Sequence, residues 1–195
     1  MENIWIALGV WSAAYVADYY ATLYGAHLYQ TYGKAFLAYE GSYELTPQFQ
    51  SDIDRLRWIS PLFLGLLLLS LILIPLLRFL SVDLLNLPQL FDLGIGGLIL
   101  RQAAVLIRHV RNIFLYRSAR RPGALSGHVV FSRWLSLQAS AVEFLCFAAL
   151  YLLGFGLSGS WFFLGGALAC LLVSLQHWRL SRKDRRPEPP AAGAG

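Results

Sequence analysis

The chain of 195 residues is 57% hydrophobic and only 14% charged, whereas soluble domains carry about 25% charged residues. Its formal net charge at pH 7 is +5, and basic loops next to a membrane are typical of proteins that face anionic lipid headgroups. This composition excludes an ordinary soluble domain. It also excludes a nucleic-acid-binding protein, because the chain has no soluble platform on which a basic surface could form.

Five segments are predicted to cross the bilayer as helices. A span needs about 20 apolar residues to cross a hydrocarbon core of roughly 30 Å, and a helix satisfies its own backbone hydrogen bonds in lipid. The predicted spans cover about residues 4–29, 59–80, 88–107, 134–155 and 161–177. Tryptophans lie near the ends of these spans, as expected of an interfacial aromatic belt. They are Trp5, Trp58, Trp134, Trp161 and Trp178.

The basic residues predict how these spans are oriented. Four arginines lie within residues 117–133, between the third and fourth spans, and five basic residues lie within 179–186, after the fifth. By the positive-inside rule both segments are cytoplasmic, so the N-terminus lies outside and the C-terminus inside. We therefore expect an all-α, polytopic bundle in the plasma membrane of a bacterium. Residues 1–183 are predicted to form one membrane-embedded domain, followed by a disordered cytoplasmic tail over 184–195.

Three charged residues inside the spans are the first candidates for a functional site: Asp18, Arg101 and Glu143. A charge at the centre of a bilayer costs roughly 2.5–3.5 kcal/mol on insertion scales, so it usually faces protein or water. At a rise of 1.5 Å per residue, each of the three lies roughly 18–21 Å from the outer end of its span. This agreement predicts an acid–base–acid cluster. The alternative is one salt bridge inside a tightly packed bundle.

Small polar residues share helical faces with these charges. The supporting residues are Thr22, Ser140, Ser174 and His177. They predict either a polar path between helices or faces on which helices pack closely, because small residues allow close approach. The glycines of residues 94–97 in the third span are interpreted as a packing face for the same reason.

The connection between the first two spans, residues 30–57, is predicted to lie at the membrane interface. Its carboxylates Glu40 and Glu44 could bind a cation or act as an acid and a base, or belong to a solvated loop. Arg108 and Arg111 lie near the cytoplasmic end of the third span. They are interpreted as topology anchors that extend to the interface, or as groups that hold a phosphate. In the second case the two glutamates, His109 and His128 would converge on the same site.

The sequence contains no catalytic motif, no spacing typical of metal ligands and no cofactor-binding loop, so neither metal nor cofactor is predicted. The function that we favour is binding or conduction of a proton, an ion or a small polar solute by the charge cluster. One alternative is an accessory or scaffolding subunit, which would have a membrane-protein partner or form a homo-oligomer. A further alternative is an enzyme that modifies a lipid or an isoprenoid. Anionic lipid headgroups at the cytoplasmic face are the remaining expected partner.

Overall fold

The computed structural model describes residues 3–40, 46 and 48–185, and most of them are helical. The helices are α1 (Ile4–Thr31), α2 (Gln50–Asp54), α3 (Pro61–Arg78), α4 (Pro88–Ser118), α5 (Arg133–Ser158) and α6 (Trp161–Asp184). A 3-10 turn covers Gly33–Ala35, and a π-helix over Phe79–Leu84 continues α3. The strands in the described part of the chain are β1 (Leu37–Tyr39) and β2 (Val129–Phe131). The all-α fold class is confirmed, with this small strand pair as a local exception.

Four helical segments are long and apolar enough to cross a membrane. They are Pro61–Leu84, Pro88–Ser118, Arg133–Ser158 and Trp161–Asp184, and they coincide with the second to fifth predicted spans. α1 coincides with the first predicted span in position and length, but it is not among the four. Its tyrosines and Asp18 lower its hydropathy relative to the leucine-rich α3.

The ends of the helices follow from local sequence signals. Ser60 caps α3 by accepting a hydrogen bond from the backbone N–H of Phe63 at 3.3 Å, and Pro61 occupies the first turn, where its missing N–H costs nothing. α5 and α6 are joined by Gly159 and Ser160 alone. Gly159 has a φ of +66°, a left-handed conformation that glycine adopts without a steric penalty. α5 therefore extends three residues beyond the fourth predicted span before the chain turns into α6.

α4 is the central helix of the bundle. Near its start, Phe91 and Ile95 form a buried cluster with Ala7 and Trp11 of α1. Near its end, Tyr116 packs against Tyr29 of α1, with ring centroids 5.6 Å apart. α1 and α4 therefore run parallel and side by side along most of their lengths.

α6 packs closely against α4 because glycines lie at the contact. A Cβ atom built on Gly165 would collide with the carbonyl oxygen of Leu93, and one built on Gly96 would collide with that of Phe162. The small-residue faces predicted in the third and fifth spans are therefore packing faces in this pair of helices.

The strand pair joins the connection after α1 to the segment after α4. β1 and β2 are parallel, with Leu37 opposite Val129 and Tyr39 opposite Phe131. The Tyr39 hydroxyl lies 2.9 Å from that of Tyr116, which is fully buried. The predicted interfacial connection, residues 30–57, is therefore folded against the ends of α1 and α4 where it is described.

At the other end of the chain, Asp184 belongs to α6 and pairs with Arg133 at 3.1 Å. Helix therefore continues into the segment predicted as a disordered tail. From that tail, the structure describes Asp184 and Arg185. The remainder of the prediction, residues 186–195, lies outside the described residues.

Candidate functional site

Polar side chains of four helices meet around the second half of α4, and we call this group the polar layer. It consists of Asp18 and Thr22 from α1, Arg108, His109 and Arg111 from α4, Ser140 and Glu143 from α5, and His177 from α6. Consecutive residues on a helix point about 100° apart. Because α4 is central, Arg108 can therefore reach α5 while His109 reaches α1.

The α1 side of the polar layer is a carboxylate–imidazole pair. His109 Nε2 lies 3.0 Å from Asp18 Oδ1 and 3.0 Å from Thr22 Oγ1. The Thr22 hydroxyl donates its hydrogen to the Asp18 backbone carbonyl at 2.8 Å, so it must accept from His109. This network assigns the imidazole proton to Nε2, where it also faces the Asp18 carboxylate. The side chains of His109 and Asp18 are only 14% and 24% exposed.

The α5 side of the polar layer is one carboxylate held by two guanidinium groups. Arg108 Nε lies 2.8 Å from Glu143 Oε2, and Arg111 Nη1 contacts the other carboxylate oxygen. The Arg108 guanidinium also lies 5.1 Å from the centre of the Phe144 ring. The ion pair with Glu143 and a cation–π contact thus fix Arg108 between α4 and α5.

The predicted supporting residues take two different roles. His177 Nδ1 lies 2.9 Å from Ser140 Oγ, and Thr22 contacts His109, so these three belong to the polar layer. Ser174 instead donates a hydrogen bond to the Ala141 carbonyl at 2.7 Å in the buried α5–α6 contact. Ser174 is therefore satisfied by backbone and contributes to packing.

Arg101 is not the base that joins the two acids. Among the ion pairs of the described residues, Asp18 pairs with His109, and Glu143 pairs with Arg108 and Arg111. Arg101 lies seven residues before Arg108, which is roughly 10 Å along α4. The predicted acid–base–acid cluster is therefore corrected. Both acids meet basic side chains about two to three turns further along α4.

The described candidates on the predicted cytoplasmic side have different partners in the structure. Arg108 and Arg111 both bind Glu143, so a phosphate would have to displace that carboxylate. The backbone N–H of Glu40 donates to the Phe131 carbonyl at 2.9 Å, at the end of the strand pair. Glu44 lies outside the described residues. Within the described ranges, no group of three His, Cys, Asp or Glu side chains could hold a metal ion.

The sequence did not predict that His109 would meet Asp18. The available signal was its position two turns after Gln102, on the same side of the helix. A polar stripe on α4 of this kind could have been matched with Asp18 and Thr22 on α1.

No family model matches the chain, and comparisons with curated proteins and with solved structures find no similar protein. The chemistry of the polar layer is therefore the basis on which a function can be assigned.

Proposed function

We propose that the chain is an integral membrane protein with five spans, in which α1 crosses the bilayer together with α3, α4, α5 and α6. The parallel packing of α1 along α4 supports this count. It extends from the cluster of Ala7 with Phe91 to the contact of Tyr29 with Tyr116, so a membrane that surrounds α4 also surrounds α1. The distribution of basic residues supports an N-terminus outside and a C-terminus in the cytoplasm.

Accessibility of two tags tests this topology. An epitope tag placed before α1 is expected to be cleaved by protease added to intact spheroplasts. A tag placed after α6 is expected to be protected until the membrane is permeabilised. Two tags on the same side would contradict the five-span topology and would indicate that α1 does not cross. Exchanged accessibility of the tags would contradict the orientation.

We further infer that the polar layer binds and transfers a proton. The observation that carries this proposal is the pair of Asp18 and His109, held 3.0 Å apart by Thr22 inside the bundle. Ionisable residues within membrane helices commonly mark proton relays. Imidazole exchanges protons near neutral pH. The two groups touch directly, which favours a proton over a larger solute among the predicted substrates.

Glu143 has a different part in this proposal. Two arginines hold its carboxylate, so Glu143 positions Arg108 and stabilises the layer. Asp18 and His109 are the groups that take up and release the proton. His177 and Ser140, hydrogen-bonded at 2.9 Å, join α5 and α6 next to this pair.

Proton flux into proteoliposomes that contain only this chain tests the proposal. We expect Asp18→Asn and His109→Gln each to lower the flux roughly 100-fold, since each removes a proton acceptor that the transfer needs. Asp184→Asn is the matched control. It removes a carboxylate that pairs with Arg133 at the end of α6, and it should leave the flux unchanged.

Each variant must keep the helical content and the single gel-filtration peak of the unmodified protein. Flux that persists in both Asp18→Asn and His109→Gln would contradict the proposal. A folded, unmodified chain that carries no flux would favour the alternative of an accessory subunit, because such a subunit would need its partner.

A further inference from the structure

A second group of polar side chains, each with a buried donor atom, lies next to the polar layer, toward the start of α4. Its members are Tyr15, Arg101 and Gln102. Their Oη, Nε and Nε2 atoms are buried and have no hydrogen-bond partner among the described residues. Gln102 is only 2% exposed. Buried polar groups are normally paired, so three unpaired atoms in one region call for an explanation.

These three side chains lie at about the same level of the bundle, with Arg101 on the side of α4 next to that of Gln102. Gln102 precedes His109 by two helical turns and therefore lies on the side of α4 that meets α1. Tyr15 precedes Asp18 by about one turn on α1. Because α1 and α4 are parallel, both residues lie on the same side of the Asp18–His109 pair. The Tyr15 hydroxyl is close enough to the Asp18 carboxylate and to the Arg101 guanidinium for both to act on it electrostatically.

Among the described residues, no carboxylate forms an ion pair with the Arg101 guanidinium. Asp18 faces His109, and Glu143 is held by two other arginines. Asp92 lies nine residues earlier on α4, roughly 14 Å away along the axis and on the opposite side of the helix. In the part of the chain that the structure describes, Arg101 forms no ion pair.

The three groups share one chemistry, since a guanidinium, an amide NH₂ and a phenol hydroxyl can all donate hydrogen bonds. Leaving each of these donor atoms buried and unpaired costs about 1–3 kcal/mol, and a charge inside a span adds to that cost. A small anion would satisfy the donors and neutralise the charge together. We propose that Tyr15, Arg101 and Gln102 form a binding site for a small inorganic anion. This site is separate from the proton-transferring pair, and its existence does not depend on that function.

Thermal unfolding of the detergent-solubilised protein tests the site, with chloride as the probe. Unfolding is compared in sodium chloride and in sodium gluconate at equal ionic strength, so that general screening is constant. We expect chloride to raise the Tm saturably by about 2–4 °C, since a ligand that binds only the folded state stabilises it. Arg101→Gln should abolish the chloride-dependent rise. Arg117→Gln, which removes an exposed cation of the same helix, should retain it.

Tyr15→Phe is the second variant, in case Arg101→Gln does not fold. It keeps the ring that stacks on Phe63 at 5.2 Å and packs on Trp11, and it removes only the donor. We expect its apparent chloride affinity to fall about tenfold, which corresponds to about 1.4 kcal/mol. The proposal is overturned if chloride and gluconate give the same Tm for the unmodified protein. It is also overturned if a folded Arg101→Gln responds to chloride as the unmodified protein does. If Arg101→Gln does not fold, the same response in Tyr15→Phe overturns it.

Discussion

Gly165→Ala is expected to separate α6 from α4 and to lower the free energy of unfolding by about 3 kcal/mol. The added methyl group would collide with the carbonyl oxygen of Leu93. A backbone carbonyl inside a helix cannot rotate away as the end of a flexible side chain could, so the whole helix must shift. That shift would also disturb the reciprocal contact of Gly96 with Phe162. Thermal or denaturant unfolding in detergent measures the loss.

Gly65→Ala is the matched control for this prediction. Gly65 lies inside α3, and a Cβ atom built on it meets nothing within 4 Å. The substitution should leave the protein as stable or increase its stability by up to about 1 kcal/mol, because alanine has the higher helix propensity. Equal stabilities of Gly165→Ala and Gly65→Ala would contradict the close α4–α6 contact.

The positions of the long apolar helices were predictable because the signal for a membrane helix is local. A run of apolar residues such as that of α3 has to be about as long as the bilayer is thick, whatever it packs against. Pro61, Pro88 and Gly159 mark helix ends through their own backbone preferences. α1 carries a weaker signal, because its buried face is built from aromatic residues such as Trp11 and Tyr19.

The register between helices was not predictable in the same way. Counting residues from the outer span ends placed Asp18 level with Arg101. In the structure Trp11 packs with Ile95 and Ile99, and the Asp18 carboxylate meets the His109 ring rather than Arg101. This register depends on how side chains of two distant segments interlock, and no local pattern records it. The parallel pair of β1 and β2 was missed for a related reason, since three-residue strands so far apart in the chain have no recognisable period.

Glu143→Gln is expected to lower the free energy of unfolding by about 2 kcal/mol, because it leaves two guanidinium groups without their shared carboxylate. Breaking a fully buried ion pair typically costs about 3–5 kcal/mol. We expect less here, because the Arg111 side chain is 59% exposed and can turn toward the interface. Arg108 is 20% exposed, so most of the cost arises there. Chemical unfolding in detergent, compared with the unmodified protein, measures the effect.

Asp83→Asn is the control for Glu143→Gln. Asp83 forms an ion pair with Arg78 at 3.5 Å, and its side chain is 48% exposed, so its loss should cost less than about 1 kcal/mol. Arg108→Met combined with Glu143→Gln should recover part of the stability, since the unpaired guanidinium is then removed as well. If the losses of stability caused by Arg108→Met and by Glu143→Gln simply add in the double variant, the two side chains do not interact directly. Recovery in the double variant would instead establish that Glu143 holds Arg108 in the polar layer, and that α5 is joined to α4 through this pair.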